Sequence, residues 1–192
     1  KKGWSLAQFS LLRQMSELLI QKSLAERYPE LLRHQVSCHA AHLAGERVRP
    51  CGRCEKCRRI VGMLLAVGRD PEVCGYSEAQ LRDRLAALAA EGVHQEAPGA
   101  RQLGWMLARR DLVAADAPGF PGAREHPEIM QLRFHPEMSP LEAIPVDLRR
   151  GLYTRLLEHA DGAVERSGRM WKPFSPLEPA RLARPYRFEV PA

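Results

Sequence analysis

The chain has 192 residues, ordinary apolar content and a net charge of +6, with an isoelectric point of 9.3. That length allows one domain with a real core, or one domain plus an extension. No apolar run approaches a membrane span and no secretory leader is visible, so the expected setting is the cytoplasm, without a membrane partner. The basic balance permits an anionic partner without demanding nucleic acid. The chain opens Lys1-Lys2-Gly3 without a methionine, which points to a processed product or to part of something longer.

In chain order, residues 5–28 come first. Leu11 or Leu12, Met15, Leu18 or Leu19, Lys22 and Ala25 recur at helical spacing. The pattern predicts an amphipathic packing helix with Ser16 inside it, or two helices separated near Ser10. Pro29 stops the helix or opens the short turn PELLRH. Val36 and Ser37 then lead, extended, into Cys38.

Four of the five cysteines follow: Cys38, Cys51, Cys54 and Cys57, the last three in the run CGRCEKC. A Cys-x-x-Cys turn points two thiolates at one ion, and Gly52 relaxes its backbone. Cys57, at the start of a helix, can supply a third ligand. Cys38 closes a tetrahedron across a loop of twelve intervening residues. Four sulfurs without an open position describe a structural zinc site better than a catalytic one. A disulfide pair would need an oxidising compartment, and an iron–sulfur cluster also uses four thiolates. His34, His39 and His42 are alternative distant ligands, but thiolate outcompetes imidazole at a site already built on sulfur. Residues 47–59 are basic: Arg47, Arg49, Arg53, Lys56, Arg58 and Arg59 stand against Glu55 alone. Part of that charge offsets a zinc with four thiolates, and the remainder can face an anion.

After Cys57, Ile60, Val61, Leu64 and Leu65 form an apolar face, with Gly62 as a close-packing point and Gly68 as a left-handed stop. Cys74 reads as a buried free thiol. Ser77 caps the next helix with Gln80 placed for a reciprocal cap, and Leu81, Leu85 and Leu88 give its stripe up to Gly92. A short helix is expected around Trp105.

Seven prolines interrupt residues 98–145, leaving a short strand at Ile129–Phe134 in a segment expected to wrap a larger body. His135 and Glu137 form a His-x-Glu pair without a third ligand at a recognised offset. A last helix covers 146–160, with Asp147 as its cap and Leu148, Leu152, Leu156 and Tyr153 as its packing face. The tail from Arg166 has six basic residues, two acidic ones and five prolines. It reads as an extended arm anchored by Trp171, Phe174, Tyr186 and Phe188, with prolines that keep it from being an ordinary central strand.

VSCHAAHLAGERVRPCGRCEKCRR resembles the zinc-binding carboxyl-terminal part of PP-loop ATP pyrophosphatases, of which 7-cyano-7-deazaguanine synthase and UDP-muramoyl-dipeptide glutamate epimerase are the nearest types. Those proteins place a serine-cysteine pair after a helix, then a loop, then a Cys-Gly-x-Cys-x-x-Cys-like run opening another helix. Here the pair is Ser37-Cys38 and the run is Cys51 to Cys57. The resemblance covers about residues 10–70. It implies an α/β parent that activates a substrate with ATP and Mg. The family's Ser-Gly-Gly-x-Asp-Ser phosphate loop is absent, so an amino-terminal portion or separate chain would supply the nucleotide site.

The fold class expected is mainly α with irregular proline-rich segments, as the carboxyl-terminal portion of an α/β PP-loop protein. Residues 1–95 would form a helical zinc-binding domain, 96–165 a proline-rich segment with a terminal helix, and 166–192 a basic arm. The leading functional reading is the zinc-containing portion or subunit of an ATP-dependent ligase- or synthase-like enzyme. Arg47, Arg49 and Arg53 would meet an anionic small-molecule substrate, and no residue of this chain is assigned catalysis. The alternatives are a zinc-stabilised nucleic-acid or nucleotide-binding module and a structural assembly subunit.

Overall fold

The computed structural model describes residues 8–188. Helix α1 spans Glu17–Arg27. Ser16, expected inside that helix, begins it instead: its backbone is extended and its Oγ accepts the Leu19 amide at 3.0 Å. The same hydroxyl donates to the Ile129 carbonyl at 2.7 Å. One short side chain therefore satisfies an orphan donor of the first turn and ties the helix to a distant segment. Leu11 and Leu12 lie in turns before the cap and are exposed, so they are not part of the helical stripe. Ser16→Ala is expected to cost about 1–2 kcal/mol. Thermal unfolding would show it as a midpoint lowered by roughly 3–6 °C.

Two apolar clusters meet at α1. Leu18 and Ala25 face the first, which surrounds helix α2 (Glu55–Ala66) and takes in Leu88, Leu103, Leu107 and Ile129. Met15 and Leu19 face the second, with Leu132, Phe134, Ile144 and Tyr153. A helix wedged between two cores has apolar residues on two sides, which explains why its pattern is not one clean stripe.

Helix α3 (Glu78–Glu91) opens with a full capping box between Ser77 and Gln80, and helix α4 covers Ala97–Ala108. Gly62 lets α3 approach α2: a methyl group there would lie 3.1 Å from Leu88 Cδ2. Leu88 is buried, while Leu81 and Leu85 are partly so. Gly68, in the left-handed region, follows α2 as expected.

The proline-rich middle does not wrap the outside. Ile129, Leu132, Phe134 and Ile144 are buried. The strand expected at Ile129–Phe134 divides into a single 3-10 turn at Pro127–Met130 and a strand at Leu132–Phe134. Prolines also precede a short turn at Leu141–Ala143 and helix α5 (Val146–Leu157). Proline is tolerated where an element begins, because its missing N–H would be unpaired there anyway. These residues therefore punctuate buried pieces rather than prevent them.

Two strands pair first as a ribbon, β1 (His42–Ala44) with β2 (Arg47–Arg49), antiparallel. A three-stranded sheet follows. Its order is β3 (Leu132–Phe134), β4 (Ala163–Ser167), β5 (Met170–Pro173), with β3–β4 parallel and β4–β5 antiparallel. Arg166 and Ser167 thus belong to a central strand, and Pro173 ends an edge strand, where its missing donor costs no ladder bond. Phe174 packs on Phe134 with centroids 4.8 Å apart, and Arg166 covers Trp171. A four-residue helix α6 (Pro179–Leu182) brings Leu182 into the second cluster. The chain is mainly helical. Among the described residues, no helix is long and apolar enough to cross a membrane.

On α5 the inward face is only partly the one expected: Tyr153 is on it, whereas Arg149 was not foreseen. Asp147 does not cap the helix; Pro145 stands at the cap position without a side-chain bond. Leu148 is exposed, and Leu152 and Leu156 are only partly buried. The fully enclosed side chains are Tyr153 and Arg149.

Candidate metal centre

The four loop cysteines converge because separate elements hold the two ends of the loop. On the Cys38 side, a six-residue 3-10 helix (Pro29–His34) ends in extended chain. Gln21 of α1 and Gln35 hold that exit by reciprocal amide bonds of 3.0 and 2.6 Å. The ribbon then returns the chain to Cys51. Gly52, at φ 69°, turns the knuckle, and Cys54 stands at the N-cap of α2. Cys57 lies one turn into that helix and is buried with Cys38.

The sulfurs of Cys38, Cys51, Cys54 and Cys57 all lie within 4.8 Å of one another. Cys51 Sγ is 3.7 Å from Cys57 Sγ, and Cys54 Sγ is 3.5 Å from it. A tetrahedral ion with bonds of about 2.3 Å sets its thiolates about 3.8 Å apart. A disulfide needs about 2.05 Å, and all five cysteines are free. A four-iron cluster places iron and sulfide between its thiolates and spreads them further than a single ion does. The donor set therefore fits one tetrahedral metal ion and is consistent with zinc. Among the described residues the group includes no histidine. His39 Nε2 instead meets Lys56 Nζ at 2.9 Å, and His42 is exposed on the ribbon.

Backbone amides surround the sulfurs. The Cys51 amide donates to Cys38 Sγ at 3.2 Å. Burial opposes ionisation of Cys51, but hydrogen bonds from the amides of Arg53 and Cys54, and from the neighbouring thiols, bring its pKa down to about 6. Burial pushes Cys57 up to about 12, against a hydrogen bond from the Tyr76 hydroxyl. Without a cation the cluster ionises at one sulfur first, and that charge suppresses the others. A divalent metal held by Cys38, Cys51, Cys54 and Cys57 would remove the conflict by taking all four as thiolates.

Tyr76 was not singled out in the sequence. It is buried, and its hydroxyl reaches Cys57, with burial the main cause that raises its own pKa. Its position two residues after Cys74 carries no ligand spacing, so only the fold reveals it. Tyr76→Phe is expected to lower metal affinity about tenfold while leaving the fold intact. Competition with a chromogenic chelator would measure it, and unchanged affinity would reduce Tyr76 to packing. Cys74 sits nearby as a buried thiol, pushed up to about 11 by burial, which fits the inert free cysteine expected.

The six cations of the loop divide into two sets. Arg58 pairs with Glu91, and Arg59 pairs with Glu17 at 3.3 Å and donates to the His94 carbonyl. Lys56 meets His39. Among the described residues, Arg47, Arg49 and Arg53 have no acidic partner. Arg47 and Arg49 alternate with exposed Val48 and so share one face of the ribbon. Arg49 lies over Gly75, and Arg53 is exposed on the knuckle, its carbonyl accepting from Arg84 at 2.7 Å.

His135 and Glu137 do not form a site. His135 Nδ1 accepts the amides of Glu137 and Met138, each at 3.2 Å, and closes a local turn. Comparison with protein-family models, with curated proteins and with solved structures finds no match.

Proposed function

We propose that this chain is the zinc-containing, carboxyl-terminal portion or subunit of an ATP-dependent PP-loop enzyme acting on an anionic substrate. The observation that carries the reading is the four-sulfur cluster, set as the resemblance implies. Ser37-Cys38 follows a helix and a turn, and the Cys51–Cys57 run opens α2. Zinc would hold the substrate-side loop in place. The ATP and Mg site would come from an amino-terminal portion or companion chain, since this sequence has no Ser-Gly-Gly-x-Asp-Ser loop. Arg47, Arg49 and Arg53 would position an anionic substrate and neutralise developing charge.

Two experiments test the reading. The isolated chain is expected to release no pyrophosphate from ATP, and contaminant-free activity would overturn the division of labour. Native copurification followed by mass measurement should report zinc together with a nucleotide-fold partner. A partner without such a fold, or a lone native chain, sinks the proposal. A second reading, a zinc-stabilised nucleic-acid module, draws on the basic ribbon face; strong salt dependence of polyanion binding would favour it.

A further inference from the structure

A cleft of about 610 Å³ lies between the 3-10 turn Pro29–His34 and the ribbon. Its size falls in the range of small-molecule sites. Arg33, His34 and Val36 line it from the side of the turn, and Glu46, Arg47 and Val48 from the ribbon. The two walls belong to the two chain segments that Cys38 joins, so the metal centre fixes their separation.

The cations in this cleft are available. Arg33 Nε donates to His34 Nε2 at 3.1 Å, which orients the guanidinium and leaves its Nη groups without a partner among the described residues. Arg47 has neither an ion pair nor a side-chain hydrogen bond among the described residues. Glu46 is the only carboxylate lining the cleft. Two guanidinium groups facing one space repel each other unless an anion lies between them, and planar forks of N–H donors suit tetrahedral oxyanions. Val36 and Val48 add an apolar strip beside that charge, which a bare inorganic ion would leave unused.

We infer that this cleft binds an organic monophosphate, with the phosphoryl oxygens between Arg33, His34 and Arg47 and an apolar body against Val36 and Val48. The inference deepens the proposed function by naming a substrate class and a place for it, and it rests on that reading only for its biological meaning.

The test is equilibrium binding of phenyl phosphate, inorganic phosphate and phenol to the zinc-loaded full chain, followed by calorimetry or NMR. Phenyl phosphate is expected to bind more tightly than either of the others. Arg33→Ala and Arg47→Ala should each weaken it about tenfold, the loss of one charge-assisted contact. Glu46→Gln should strengthen it, a sign that general unfolding cannot mimic. Unchanged zinc content and thermal midpoint in each variant establish that the fold survives. Stripping the zinc should abolish binding. Three results overturn the inference: no phenyl phosphate binding at millimolar concentration, binding indifferent to Arg33, Arg47 and Glu46, or binding confined to a single-stranded oligonucleotide. None of these depends on whether a PP-loop partner copurifies, so the two proposals fail separately.

Discussion

Replacing Cys38 with serine should strip the protein of its metal and loosen the core around α2. Cys51, Cys54 and Cys57 come from one knuckle and the first turn of one helix, so they stay close in any partly folded state. Cys38 arrives from the other side of the ribbon, and its sulfur joins the two ends of the loop. Cys38 and Cys57 are both buried in the first apolar cluster beside Ile60, Val61 and Leu64, so the loop cannot open without exposing that cluster. Binding energy at a structural zinc is folding energy, because no preformed site exists in the unfolded chain. A loss of about 4–6 kcal/mol and a midpoint drop of roughly 10–20 °C are expected. Chelator treatment of the wild-type protein should give the same result, and added zinc should reverse it. Protons compete with the metal for thiolates, so metal retention should fall as pH falls. Amide hydrogen bonds lower the pKa of Cys51 and favour its thiolate, whereas burial raises that of Cys57, which would lose its proton to the metal itself. Unchanged zinc content and midpoint in Cys38→Ser would defeat the assignment.

Arg149→Ala should be nearly as damaging, and it should leave the metal in place. Arg149 is fully enclosed in the second cluster's surroundings, on α5. Its Nε donates to the Ile144 carbonyl at 2.7 Å and its Nη1 to Leu182 at 3.0 Å, with further bonds to the carbonyls of Arg184 and Pro185. One guanidinium thus holds the start of α5 to the segment after α6. Burial lowers its pKa, yet a guanidinium stays charged at any ordinary pH. Removing it leaves several inward carbonyls without a donor and a large void, at about 3–5 kcal/mol. Lysine should rescue little, since three donors on one nitrogen cannot span carbonyls that a planar fork reaches. Hydrogen exchange should rise across 182–188 while zinc content stays unchanged. A midpoint within roughly 2 °C of wild type would show that water replaces the lost donors.

The contrast between these two residues shows how far the sequence could be read. Cysteine spacing is local chemistry: three ligands fall within seven residues, and the metal's demand for four sulfurs points to the remaining nearby cysteine. The same locality made the Ser77–Gln80 cap and the close-packing role of Gly62 legible. Burial of an arginine is not local. Along α5, helical spacing suggested Tyr153 with three leucines as the packing face; Tyr153 is enclosed as expected, but Leu148 is exposed and Arg149 is drawn inside because the returning tail offers it carbonyls. Proline was misleading for the same reason. It shows where regular structure starts or stops, without showing whether the piece that follows is inside or outside.

By itself, then, the sequence pointed to the four clustered cysteines, to a buried free thiol at Cys74 and to the mainly helical character of the chain. Each depends on residues close enough to interact through neighbouring turns. Only the tertiary structure decided that Ser16 caps α1 while holding Ile129, that Tyr76 is buried beside Cys57, and that Arg33, His34 and Arg47 line one cleft. Those pairs join segments separated along the chain, and their encounter depends on how two cores close around α1, which no spacing in the sequence encodes.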